Sequence, residues 1–168
     1  ITGASGGLGL EFARIYAREG FDLVVVARSE GKLYKLKSEL ETQYDCHVWV
    51  LAQDLSQPDA AYEVFNYTLE KNITIDALVN NAGFGDFGNF WEVDAQRQTD
   101  LLQVNIMTLV QLTRYFLPGM VERRHGSVLN LSSVAAFSAG PRMCLYYASK
   151  EFVRSFSEAV AEEVRSTG

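Results

Sequence analysis

Cysteine and histidine are scarce in this chain, and the few present stand apart. Cys46 and Cys144 are separated by most of the sequence, and neither His47 nor His125 sits at metal-ligand spacing from the other or from a thiol. No metal site is expected, and the thiols read as buried groups of a reducing, cytoplasmic compartment rather than a disulfide framework. Basic charge is short as well. With 15 Lys and Arg against 21 Asp and Glu the net charge is −6, which argues against nucleic acid or an anionic membrane as a main partner, since both need a basic surface. A phosphorylated cofactor needs only one local positive site and stays open. No apolar run approaches the roughly 20 residues of a membrane span. Repeats, low-complexity tracts and linkers are absent, so 168 residues are expected to build a single domain over 1–168. A start methionine is missing too. The chain opens at Ile1 directly on a glycine-rich turn with no strand before it, so it reads as part of a longer chain with its first strand clipped.

What is present is a regular alternation of helix and strand, the pattern of a parallel sheet covered on both faces. Leu8, Phe12, Ile15 and Tyr16 are spaced for a helix over 8–18 that Gly20 stops. Residues 22–27 form a continuous β-branched run, the mark of a strand buried on both faces. Leu33, Leu36, Leu40 and Tyr44 give the next helix its apolar stripe, and strands are expected over 47–52, 75–80 and 126–131. Ser56, Pro58 and Asp59 open a further helix through Val64, Phe65 and Leu69. Another is expected over about 94–117, stopped by Pro118-Gly119, and the last over about 145–166. The stretch 101–117 is apolar almost all round, which suggests that a second subunit covers it.

The first motif is Thr-Gly-Ala-Ser-Gly-Gly-Leu-Gly at residues 2–9, running straight into a helix. Such a turn brings backbone N–H groups close to a phosphate, with the positive end of a helix dipole behind them. Glycines 3, 7 and 9 suit one dinucleotide-binding spacing, glycines 3, 6 and 9 another, and Gly3-Ala4-Ser5-Gly6-Gly7 also satisfies the G-x-S-x-G elbow of serine hydrolases. For the hydrolase reading Ser5 arrives too early in the chain, and His47 and His125 come without a fitting triad pattern. The second motif is Tyr146 and Lys150, four apart at the start of a helix and so on one face. An ammonium near a phenol favours the phenolate and moves it toward general acid–base range. Tyr147 has Glu151 at the corresponding position. Ser133, at the end of the 126–131 strand, is expected to point into the same carboxyl-edge cleft, and the glycine-rich stretch 81–88 after another strand is a candidate wall of it.

Taken together these residues resemble the short-chain dehydrogenase/reductase family. The motifs stand in the family's order: the 2–9 loop, Asp54, Asn80-Asn81-Ala82-Gly83, Asn105, then Ser133 with Tyr146 and Lys150. The resemblance implies a Rossmann-type doubly wound parallel sheet in three α/β/α layers, seen here without its last strands. It also implies hydride transfer between a nicotinamide and a carbonyl or secondary alcohol.

By the same resemblance Tyr146 is the general acid/base, and Lys150 tunes it and holds the nicotinamide ribose. Ser133 binds the substrate oxygen, and Asn105 holds a water that completes a proton relay. The 13-residue interval to Tyr146 selects Ser133 over Ser132. Gly3, Ser5, Gly7, Leu8 and Gly9 would cradle the pyrophosphate, with Gly6 incidental. Asp54 and Leu55 would meet the adenine, and Asn81, Ala82 and Gly83 would also line the cofactor. The 22–27 strand ends in Arg28 and Ser29 with no acid, which favours the 2′-phosphate of NADP(H) over NAD(H). Homodimers or homotetramers are implied, and the substrate segment of the family lies beyond residue 168. Phe84, Phe87, Phe90, Trp91, Phe137, Met143 and Cys144 form the remaining pocket wall, which hints at a lipophilic small-molecule substrate. A dinucleotide-binding sensor without turnover is the alternative function.

Overall fold

A computed structural model of the protein describes residues 1–167. Four strands, β1 (Leu23–Ala27), β2 (Val48–Ala52), β3 (Ala77–Asn80) and β4 (Ser127–Asn130), make two parallel ribbons, β1 with β2 and β3 with β4. Residues 1–3 join them. Gly3 N–H donates to Val26 O at 2.8 Å on one side, and Thr2 N–H donates to Val79 O at 2.9 Å on the other. The result is one sheet in the order β2, β1, residues 1–3, β3, β4, with the expected first-strand position filled by the opening residues.

Both faces are covered, and β1 shows how. Leu23, Val25 and Ala27 pack with Leu33, Leu36 and Leu40 of α2 (Glu30–Gln43) and with Ala13 and Ala17 of α1 (Gly7–Arg18). Val24 and Val26 face the opposite layer, with Val64 of α3 (Ala60–Glu70) and Leu112, Phe116 and Met120 of α5 (Leu109–Arg123). Successive side chains of a strand point to opposite faces, so an all-apolar strand needs helices on both. This is the doubly wound α/β architecture. Among the described residues no helix is long and apolar enough to cross a membrane.

The helix expected over 94–117 differs in two ways. It begins as α4 (Ala95–Leu102), capped by the Asp94 carboxylate, which accepts from Arg97 N–H at 2.9 Å. It then passes through a π-helical turn, Gln103–Thr108, before continuing as α5. And Pro118 does not stop it. Pro118 sits on the solvent side, one turn after exposed Arg114, so the carbonyl it leaves unpaired faces water. Phe116 and Met120 meanwhile hold the turn in the core. The helix ends at Arg123, with Arg124 in the left-handed conformation (φ 54°) and His125 N–H donating to Met120 O at 3.1 Å. The final helix, α6 (Cys144–Val164), follows a 3-10 turn, Val134–Phe137.

Candidate active site

Cavities open along the carboxyl ends of the strands, where open α/β sheets bind ligands. The N-terminus of α1 faces one of them, lined by Gly6, Gly7 and Leu8, and no side chain caps its free N–H groups. Gly7 has φ +56° with no atom within 4 Å of where a Cβ would stand, so the backbone is exposed to a ligand there. Gly9 is tight instead. A Cβ on it would collide with the carbonyl of Gly3 and the amide of Asn81. Gly6 is extended (φ 177°) in open space, and any residue adopts that backbone. The geometry therefore separates glycines 3, 7 and 9 from Gly6. A phosphate-bearing dinucleotide fits this uncapped, side-chain-free helix start.

The adjoining cavity is lined by Gly3, Ser5, Arg28, Ser29, Asp54, Leu55, Ala82 and Gly83. One oxygen of Asp54 accepts from Ser56 N–H at 3.1 Å and from Ser56 Oγ–H at 2.9 Å, leaving the other oxygen without a partner among the described residues. Thr2 ties this floor together. Its Oγ1 accepts from the N–H groups of Asn81 and Ala82, both at 3.0 Å, while Asn81 Nδ2 donates to Thr2 O at 2.8 Å.

Tyr146, Lys150 and Ser133 line the same cavity as the α1 N-terminus. Lys150 is 5% exposed, its Nζ 5.8 Å from the Tyr146 ring centroid and donating to Leu131 O at 2.8 Å. No carboxylate pairs with it among the described residues, and burial pushes its pKa down. The two serines divide cleanly. Ser132 Oγ–H donates to Lys150 O at 2.8 Å and is spent on fixing α6, whereas Ser133 Oγ accepts from Ala135 N–H at 3.1 Å and keeps its own hydrogen to donate. Tyr147 turns away and lies flush on Gly140, leaving no room for a Cβ there. Asn105 is 1% exposed within the π-helical turn. Its Oδ1 accepts from Phe84 N–H at 3.0 Å, and its Nδ2 donates to Phe84 O and to Ser149 Oγ, each at 3.0 Å. Ser149 Oγ–H in turn donates to Tyr146 O at 2.7 Å. Gly83 sits between Asn105 and Lys150, a Cβ there lying 3.1 Å from Oδ1 and 3.3 Å from Nζ.

The family profile described as short chain dehydrogenase matches residues 1–168. The chain belongs to the short-chain dehydrogenase family. It is 34% identical over 173 residues to a very-long-chain 3-oxoacyl-CoA reductase of Pyrenophora tritici-repentis, covering 100% of this chain and 50% of that protein. The chain thus spans about half the length of the curated relatives it matches. Among solved structures it is similar to the bulky-bulky ketone specific alcohol dehydrogenase from Comamonas testosteroni, at TM-score 0.94 and 33% identity over 100% of this chain and 67% of that one. A short-chain dehydrogenase from Sphingobium yanoikuyae in complex with NADPH also reaches TM-score 0.94 and 33% identity, over 100% of this chain and 66% of the other.

Within this short-chain dehydrogenase, the apolar wall is smaller than expected. Phe84, Phe87 and Met143 line the Tyr146 cavity, and Phe90 and Cys144 line a small cavity beside it. Trp91 and Phe137 line neither and are 79% and 74% exposed. Contacts that join distant segments carry no mark in one sequence. Thr2, Ser132 and Ser149 are such residues, and so is Arg97, whose Nε–H donates to Asp86 at 2.6 Å with its guanidinium 5.4 Å from the Phe84 ring. Asn105 positions Phe84 and Ser149 through these bonds. Asn105→Ala would leave both backbone polar groups of Phe84 without their partner, at about 1–3 kcal/mol each where no water replaces it. The expected outcome is a fall in kcat together with a lower Tm. Rescue of kcat by water-accessible Asn105→Ser without recovery of Tm would contradict it.

Proposed function

We propose that the protein is an NADP(H)-dependent oxidoreductase acting on a carbonyl or secondary alcohol, with Tyr146 as general acid/base. The observation that carries this reading is that Tyr146, Lys150 and Ser133 line one cavity with the uncapped N-terminus of α1. A module that only bound a dinucleotide would have no use for a phenol and a buried ammonium beside it. When bound, the nicotinamide supplies or takes the hydride.

The chain's own residues do the rest. In the reducing direction the Tyr146 hydroxyl gives its proton to the substrate oxygen. Ser133 Oγ–H donates to the same oxygen and stabilises the charge that develops there. Lys150 has one N–H on Leu131 O, leaving two donors for the phenol and the ribose. Its charge is largely buried, where electrostatic effects exceed those in water. Asn105 Oδ1 keeps one lone pair beyond its bond to Phe84, on the side where Lys150 approaches Gly83, and this is where a relay water would bind.

Arg28 and Ser29 follow the end of β1 in the neighbouring cavity, with no acid at that strand end, which supports NADP(H). The complexes with NADPH and with NADP among the similar structures support the same choice. A lipophilic substrate is supported by Phe84, Phe87 and Met143 and by the names of the acyl-CoA reductase and bulky-ketone relatives. The test is dinucleotide oxidation by the full-length protein with a panel of ketones. The kcat/KM ratio of NADPH to NADH is expected above one, falling about tenfold in Arg28→Gln as a charged hydrogen bond is lost. A ratio below one in the unmodified protein overturns the cofactor preference, and no turnover with any ketone overturns the activity.

A further inference from the structure

The mouth of the catalytic cavity is apolar, with a cation beside it that has no ion-pair partner among the described residues. Leu8, Phe87 and Val134 line the cavity while remaining 60%, 67% and 88% exposed. Exposed apolar surface gathered at a cleft marks a ligand surface more often than a solvated one. Arg142 stands at its edge. Together with Asp86, Met143 and Tyr146 it lines the small neighbouring cavity, and those three residues line the catalytic cavity as well.

Arg142 is held in an unusual way. Its φ is +66°, the left-handed region that a side chain occupies only at a cost. Two contacts fix it there. The carbonyl of Arg142 accepts from Gly88 N–H at 2.9 Å, and its guanidinium carbon lies 5.8 Å from the Phe87 ring centroid. The neighbouring Arg97 is neutralised by Asp86 at 2.6 Å. Arg142 has no carboxylate and no hydrogen-bond acceptor for its guanidinium among the described residues. Among the described residues Asp86 is the one carboxylate lining the catalytic cavity, and its charge is already met by Arg97. The edge therefore carries net positive charge within a protein whose net charge is −6.

We infer that the substrate is an anionic amphiphile, a ketone or alcohol on a lipophilic body whose carboxylate or phosphate is taken by Arg142 while the body lies along Leu8, Phe87 and Val134. This rests on the oxidoreductase reading and adds the recognition of charge. A guanidinium presents paired N–H donors that match either oxyanion, and it does so best when its own position is fixed.

The test compares methyl-ketone fatty acids of graded length, levulinate upward, each with its methyl ester and the matching oxoalkyl phosphate, on the full-length protein with NADPH. The kcat/KM of at least one anionic member is expected to exceed that of its ester, with the acid and phosphate arms showing which oxyanion is preferred. The anion-to-ester ratio is expected to fall about tenfold in Arg142→Gly, which keeps the left-handed backbone, and to shrink as salt rises. Arg142→Lys retains part of it. If esters are reduced as well as the anions at every length, or Arg142→Gly lowers both alike, this inference is overturned while the oxidoreductase reading stands. A protein that reduces none of the compounds overturns both.

Discussion

Tyr146→Phe is expected to lower kcat for ketone reduction by about a hundred- to ten-thousandfold, the span of general acid–base catalysis. NADPH binding is expected to weaken by no more than about tenfold, the worth of one hydrogen bond. The change removes one oxygen and leaves the ring, which Gly85 approaches so closely that a Cβ there would lie 3.3 Å from it. Packing and helix position are thereby kept. Steady-state kinetics alongside fluorescence titration of NADPH separate the two effects. Equal rates in the variant and the unmodified protein would remove the phenol from the chemistry, whereas NADPH binding with no turnover in either would favour a dinucleotide sensor. Lys150 makes the site expensive to hold. Burial lowers its pKa from the ordinary value of 10.5. Between the folded value and 10.5 the unfolded chain binds more protons, so this lysine makes stability rise with pH across that interval. Below it the full penalty applies. Stability is given up there for a cation beside the phenol.

Gly9→Ala is the second large effect, and it falls on the fold. The added methyl would strike the Gly3 carbonyl and the Asn81 amide, and neither can yield without disturbing others. Gly3 N–H is bonded to Val26 O, and Asn81 is bonded to Thr2. Overpacking of this kind costs about 1–3 kcal/mol, or roughly 5 °C in Tm for a domain of this size. Gly6→Ala, three residues away, is expected to leave Tm within about 1 °C, since its backbone is extended and nothing stands within 4 Å of the new carbon. Thermal unfolding of the two variants side by side decides the matter. Equal losses would mean that the spacing of glycines 3, 7 and 9 is not what shapes the turn.

The contrast between these glycines shows which parts of the structure could be read in advance. Steric demands of the backbone act locally, so glycine spacing, the all-apolar run of β1 and the shared face of Tyr146 and Lys150 are written in neighbouring residues. They led directly to the sheet and to the core of the candidate site. Pro118 misled because its effect depends on which face of the helix meets water, a tertiary fact. The π-helical turn at Gln103–Thr108 was invisible for a related reason. No residue type encodes it, and Asn105 reaches Phe84 and Ser149 only once the 81–88 loop and α6 have docked. The division between Ser132 and Ser133 likewise turned on where α6 places the carbonyl of Lys150.

The bond between Asn105 and Phe84 has a consequence for how such a site can change. Asn105 grips the backbone of Phe84, by its N–H and its C=O, and leaves the side chain unconstrained by that grip. Phe84 lines both the nucleotide-side cavity and the cavity that holds Tyr146 and Lys150. The residue that shapes the pocket is thus held by atoms that every amino acid except proline possesses in full. Alignment and selectivity are separate variables at this position. Evolution, or an engineer, can re-cut the pocket at residue 84 while the path from loop to Asn105 to Ser149 to Tyr146 stays in register.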